Sequence, residues 1–253
     1  MLVAGAAAGL INTVVGSGTL ITFPTLLALG YPPVTANVSN NIGLVAGGLT
    51  GTWGYRRELA GTRALLVRLV PASLTGGIVG ALLLLRLPAR AFAAIVPVLI
   101  ALALVLVVVQ PRVAAATAAR RERQAADGGE RAAVGLAARA GTFAAGVYGG
   151  YFGAAQGVLL VGLLGALLAE GLQRVNGIKN LLSSVVNGVA AVTFLAVAPG
   201  KVDWLVVLLI AAGSIGGGLL GARVGRRLPP RVLRGVILGV GVVAIVRLLA
   251  DLR

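Results

Sequence analysis

Two clusters of small and amide-bearing residues carry the chemistry open to this chain. The first is Gly16-Ser17-Gly18-Thr19 with Asn37, Ser39, Asn40 and Asn41; the second is Gly153, Gln156 and Gly157 with Asn176, Lys179, Asn180, Ser183, Ser184 and Asn187. Neither holds a histidine or paired carboxylates. Lys179 apart, these residues donate hydrogen bonds without carrying full charge. Glycine lets backbone approach a ligand closely. A helix broken at such a place frees N–H groups at the start of its second part, where partial positive charge suits an anion. Asn and Ser add neutral donors, and Lys179 adds one charge. The chemistry expected is reversible recognition of a small oxyanion.

Each residue also has a structural use. Gly, Ser and Thr are common where membrane helices touch. Asn37, Asn41, Asn176 and Asn180 could cap helices after Pro32-Pro33 or Gly171, and Lys179 could snorkel to the interface. The clusters nevertheless align: Gly16 with Gly153, Asn37 with Asn176, Asn40 with Lys179 and Asn41 with Asn180.

The elements that must position them are apolar and repeated. Eight hydrophobic segments can be parsed, near 1–29, 34–55, 64–85, 91–109, 132–169, 173–197, 202–225 and 231–250. Residues 76–90 (GGIVGALLLLRLPAR) and 217–231 (GGLLGARVGRRLPPR) are identical at eight of fifteen positions, among them Gly76/Gly217, Gly77/Gly218 and Gly80/Gly221. Duplicated transporters have such long-period repeats, with substrate bound where the halves meet. The first segment of each half is interrupted, by Gly16–Thr19 and Pro24, and by Gly149-Gly150, Gly153 and Gln156. Broken helices are tolerated in a membrane only where protein buries them or they line a wet cavity.

Composition fits this. The chain is 58% hydrophobic and 11% charged, with a mean hydropathy of +0.99. Soluble domains carry about 25% charge, too much polar surface for this composition to match. Ala91–Val109 contains no charge, and about 20 such residues span a bilayer core. There is no Cys and no His, which removes disulfides, thiolate chemistry and imidazole metal ligands or proton shuttles. No cleavable leader is expected. No cofactor, metal or nucleic acid is expected either. The net charge of +15 comes from arginines placed between apolar runs, as membrane orientation requires.

The fold expected is an all-α polytopic membrane protein in the plasma membrane. Residues 1–110 form a first transmembrane repeat, 111–131 a polar cytoplasmic linker and 132–253 a second repeat. Arg56, Arg57 and Arg63 mark one loop of the first repeat, whereas Arg223, Arg226, Arg227, Arg231 and Arg234 mark the loop one step later in the second. This swap favours inverted repeats in which segments 1 and 5 return as V-shaped hairpins and three segments cross. Trp53, Tyr55 and Trp204 are expected in interfacial belts.

The stretches AGLINTVVGSGTLITFPTLLALGYPPVTANVSNNIG, GVYGGYFGAAQGVLLVGLL and LQRVNGIKNLLSSVVN, with GKVDW and RLPPR, resemble the sulfite exporter TauE/SafE family over nearly the whole chain. That resemblance implies an inner-membrane protein of duplicated halves that moves sulfur-containing anions such as sulfite or sulfonates, usually outward. Family members are usually richer in glycine at the first break, along the lines of GxGGG, where this chain has Gly16-Ser17-Gly18 and Gly153-Ala154-Ala155.

Export of a small anion by alternating access is therefore the expected function. An anion channel and a non-transporting membrane scaffold are the alternatives. An intramembrane enzyme would need a histidine, paired carboxylates or a metal.

Overall fold

The computed structural model describes residues 1–126, 135–168, 170–224 and 235–240, with 242, 243 and 246. Arg226, Arg227, Arg231, Arg234 and much of the expected segment 231–250 lie outside the described residues. Those described form helices and no strand: α1 (Leu2–Val14), α2 (Thr19–Ala28), α3 (Pro33–Gly54), α4 (Arg63–Arg86), α5 (Ala89–Ala126), α6 (Leu136–Tyr151), α7 (Gln156–Leu167), α8 (Leu172–Val197) and α9 (Trp204–Val224).

Local chemistry sets the ends. Pro33 opens α3, where the missing N–H costs nothing and the fixed φ suits the first turn. Gly30, at φ 85°, closes α2, with Tyr31 N donating to the Leu26 carbonyl at 3.1 Å. This is the left-handed ending that glycine permits. Asp203 caps α9 by accepting from Val206 N at 3.0 Å. Asn37, Asn41, Asn176 and Asn180 do not cap their own helices: α3 and α8 start from Pro32 and Gly171, neither with a side-chain cap.

Four stretches are long and apolar enough to cross a membrane: α4, Ala89–Val109 of α5, α8, and Trp204–Arg223 of α9. Large apolar side chains such as Val67, Val98, Val192, Leu205 and Leu208 face outward, a surface suited to lipid. α5 continues as helix through the expected linker to Ala126, and residues 127–134 lie outside the described set. Trp53 and Trp204 are exposed at helix ends, as belt residues would be. Tyr55 is instead buried, at 2% exposure. It follows the last turn of α3 and opens the run of turns that leads to α4.

The most extensive packing joins helices far apart in sequence. α4 lies on α6, and α1 lies on α9; α3 and α8 run through the middle and touch each other. The two crossings are one contact made twice. A Cβ on Gly76 would overlap the Phe143 carbonyl oxygen, and one on Gly80 that of Val147. In the same register, Gly217 lies on the Ala6 carbonyl and Gly221 on that of Leu10. Backbone meets backbone with no side chain between, as small residues allow at membrane crossings. The repeated glycines are thus packing residues.

Both interrupted segments are breaks between short helices. α1 has 13 residues and α2 has 10. At 1.5 Å per residue these reach about 20 and 15 Å, short of the ~30 Å hydrocarbon core. A Cβ on Gly18 would strike the Ala8 carbonyl and Asn12, so the chain folds back at this point. In the second pair, Gly149 lies against Gln156 and Gly141 against Leu163. Those pairings place α6 and α7 antiparallel.

Candidate functional site

The two breaks touch. Gly157 N donates to the Gly16 carbonyl at 3.0 Å. A Cβ on Gly157 would stand 2.5 Å from the Gly16 Cα and 2.9 Å from Lys179 Cδ. Gly16, at φ 91°, and Gly153, at φ 78°, adopt left-handed backbone, which lets each break reverse direction tightly. Across the contact, Gly153 faces Thr19.

At the first break, α1 ends with carbonyls that its own helix cannot satisfy. Lys179 Nζ donates to those of Asn12 and Thr13 at 3.0 Å each, and Asn180 Nδ2 donates to that of Thr13 at 3.2 Å. Lys179 is 0% exposed, so it does not snorkel. It makes no ion pair; the pair formed among the described residues is Arg174–Glu170, elsewhere on the molecule. Its compensation is the negative end of the α1 dipole. An ammonium has three donors; the third has no protein partner among the described residues.

The start of α2 completes this side. Asn40 accepts from Thr22 Oγ1 and donates to Thr19 Oγ1 at 3.4 Å. That ties it to α2, whereas Lys179, with which it aligns, reaches across to α1. Ser17 is 0% exposed, and its hydroxyl has no partner. The amides of Ser17, Gly18 and Thr19 have no backbone acceptor among the described residues.

The second break is held differently. Asn37 Nδ2 donates to the Tyr151 carbonyl at 2.9 Å, capping α6 with a neutral amide. The Gln156 amide lies over Gly149, with Nε2 unpartnered. Ala155 takes left-handed backbone at φ 61°, where a Cβ costs about 1–2 kcal/mol. Behind it stands an aromatic cluster. Phe152 meets Phe23 edge-on at 5.2 Å, and Phe92 meets Tyr151 at 5.6 Å.

The two breaks are thus capped crosswise: α8 supplies the cap for α1, and α3 supplies the cap for α6. Asn41 Nδ2 joins the central helices by donating to Asn187 Oδ1 at 3.4 Å. Gly16, Ser17, Gly18, Thr19, Asn37, Asn40, Asn41, Gly153, Gln156, Lys179 and Asn180 all gather here. Asn176 does not join them; it is half-buried and makes none of these contacts. Sequence reasoning missed Thr22, the carbonyls of Asn12, Thr13 and Tyr151, and the aromatic cluster. Backbone acceptors leave no trace in residue type. The adjacent Tyr151-Phe152 pair, in a chain with only five Phe, was the one available hint.

Chemically, the site offers buried donors that lack acceptors among the described residues (the Ser17 hydroxyl, Gln156 Nε2, the third Lys179 N–H and the amides at the start of α2), together with two buried acceptors that lack donors, Asn37 Oδ1 and Asn41 Oδ1. The Tyr148 and Tyr151 hydroxyls are also buried without a partner among the described residues. The donors outnumber the acceptors, which suits a negatively charged guest. No group of His, Cys, Asp or Glu among the described residues could hold a metal.

The profile of the family described as sulfite exporter TauE/SafE matches residues 1–248. "Probable membrane transporter protein YfcA" of Escherichia coli strain K12 is 27% identical over 250 residues, covering 96% of this chain and 86% of that protein. The proteins of that name in E. coli O6:H1 and O157:H7 match to the same extent. No solved structure matches the chain. With its outward apolar surface and its span-length helices, the chain is a multi-pass membrane protein that belongs to the sulfite exporter TauE/SafE family.

Proposed function

We propose that this membrane transporter expels a small sulfur-containing anion, sulfite or an organosulfonate, by alternating access around the paired breaks. The contact between Gly16 and Gly157, beside a buried Lys179 with one donor free, carries the proposal. The anion would lie against Ser17, Gly18 and Thr19, with Gln156 on the facing side and Lys179 supplying charge. Asn37, Asn41 and Asn180 would hold the breaks in shape. No chemical step is involved.

Residues 1–110 and 132–253 would be inverted repeats joined by 111–131, with α1–α2 and α6–α7 as hairpins that return to their own sides. The loops at 56–63, 110–131 and 223–234 would then face the cytoplasm. Matched glycine crossings, free of interlocking side chains, would let the repeats rock around the site. Burial of the breaks favours an occluded transporter state over an open pore. With the inside negative, expelling one negative charge gains about 2.3 kcal/mol per 100 mV.

The decisive test is efflux from proteoliposomes loaded with sulfite, sulfate, thiosulfate, a sulfonate or a carboxylate, alongside thermal stabilisation of purified protein by each. Saturable efflux of a sulfur oxyanion with counterflow supports the proposal. Flux that never saturates would make the chain a channel, and absence of any stabilisation or flux would make it a scaffold.

A further inference from the structure

A second basic feature lies outside the breaks. Near the starts of α4 and α6, Arg68 and Arg139 line one groove of about 580 Å³. The rest of the groove is apolar or weakly polar, with Val67, Pro71, Leu136 and Phe143 on its walls. A neighbouring hollow of about 400 Å³ shares Val67 and Pro71 and adds Arg63. Arg68 and Arg139 are exposed and have no carboxylate partner among the described residues.

We propose that this groove binds one anionic phospholipid, its phosphate held between Arg68 and Arg139 and an acyl chain laid along Val67, Pro71 and Phe143. Three observations select that occupant. Two unpaired guanidiniums match a phosphate in charge and fork geometry. The apolar walls face outward, where a soluble anion would gain nothing and an acyl chain would replace bulk lipid. Arg68 is five residues into α4 and Arg139 three residues into α6, so both lie within about 8 Å of a helix start, at headgroup depth.

The matched crossing of α1 and α9 supplies an internal control. In the register set by Gly76/Gly217 and by Phe143/Ala6, Arg68 corresponds to Leu209 and Arg139 to Leu2. The helix contact is therefore made equally well without either arginine. Packing does not call for the pair. Assignment to the cytoplasmic leaflet, whose anionic lipids attract basic groups, rests on the orientation proposed above; the binding itself does not.

The test uses the purified, delipidated full chain in neutral detergent. Phosphatidylglycerol, phosphatidylcholine with the same acyl chains, and glycerol 3-phosphate are each titrated, with thermal unfolding and retained lipid in native mass spectrometry as readouts. Saturable stabilisation by phosphatidylglycerol alone is expected. Arg68→Gln with Arg139→Gln should weaken it at least tenfold, each single change several-fold, and Arg90→Gln not at all. Equal binding of phosphatidylcholine, or undiminished binding by both single variants, would overturn the proposal. So would glycerol 3-phosphate matching the lipid, which would make the groove a soluble-phosphate site. Because no flux is measured, these outcomes stand apart from the fate of the anion-export proposal.

Discussion

The first break is closed by a charge and the second by shape. At the end of α1, an ammonium and an amide from α8 take up bare carbonyls. At the end of α6, one neutral amide does so, and packed rings of Phe23, Phe92 and Phe152 stand behind it. Two breaks aligned in sequence have thus diverged in how they are stabilised. In the proposed function the charged break offers its free donor to the anion, while the ring-packed one stays put as the anvil.

Substitutions can break this contrast. Phe152→Ala should have the largest effect on stability, about 3 kcal/mol or more from the vacated aromatic site, read as lowered thermal unfolding in detergent. A loss below 1 kcal/mol would mean that packing does not hold the second break. Lys179→Met should come next. It leaves the Asn12 and Thr13 carbonyls short of donors at about 1–3 kcal/mol and should lower efflux at least tenfold. Adding Asn40→Lys to Lys179→Asn should not restore efflux, since position 40 faces Thr19 and Thr22. Asn37→Leu should cost about 1 kcal/mol and less than tenfold in efflux; a larger loss than Lys179→Met would reverse the assignment of charged and neutral roles.

Finer contrasts follow. Gly157→Ala pushes a methyl onto Gly16 and Lys179 and should cost about 1–3 kcal/mol. Gly153→Ala meets the Gly149 carbonyl at 3.1 Å and Thr19 Oγ1 at an ordinary 3.8 Å, so its cost should be mainly the left-handed backbone, about 1–2 kcal/mol. Smallest of all, Ala155→Gly should stabilise by up to about 1 kcal/mol, strain relief partly offset by glycine's chain entropy. Destabilisation there would show that the Ala155 methyl, fully buried, contributes packing that outweighs its strain.

Much of the fold was legible because lipid imposes simple rules. Apolar runs marked the helices, and Gly16–Thr19 and Gly153 marked the two breaks, but Pro24 and Gly149-Gly150, read as interruptions, lie inside α2 and α6 because each helix continues through them. The repeated Gly76/Gly217 and Gly80/Gly221 marked the crossings. The end of α5 was not legible, because Ala-rich, Arg-rich sequence favours helix in water as readily as loop. Tyr55 was misplaced because an aromatic at a segment end suits a belt or a buried corner equally well. At the site, residue types located the amides and Lys179. They could not reveal that Lys179 points at the backbone of α1, or that Asn40 bonds to the threonines of α2. Partners separated by more than a hundred residues are set by how helices cross, which no local pattern encodes.

The crosswise capping also has a consequence for biogenesis. Asn12 leaves the ribosome 167 residues before Lys179. If α1 and α2 insert as the proposed hairpin, its carbonyls stay unanswered by Lys179 until α8 is made, and translocon, water or lipid headgroups must shelter them. A chain truncated before residue 179 would carry that defect permanently and present itself to quality-control proteases as unfinished.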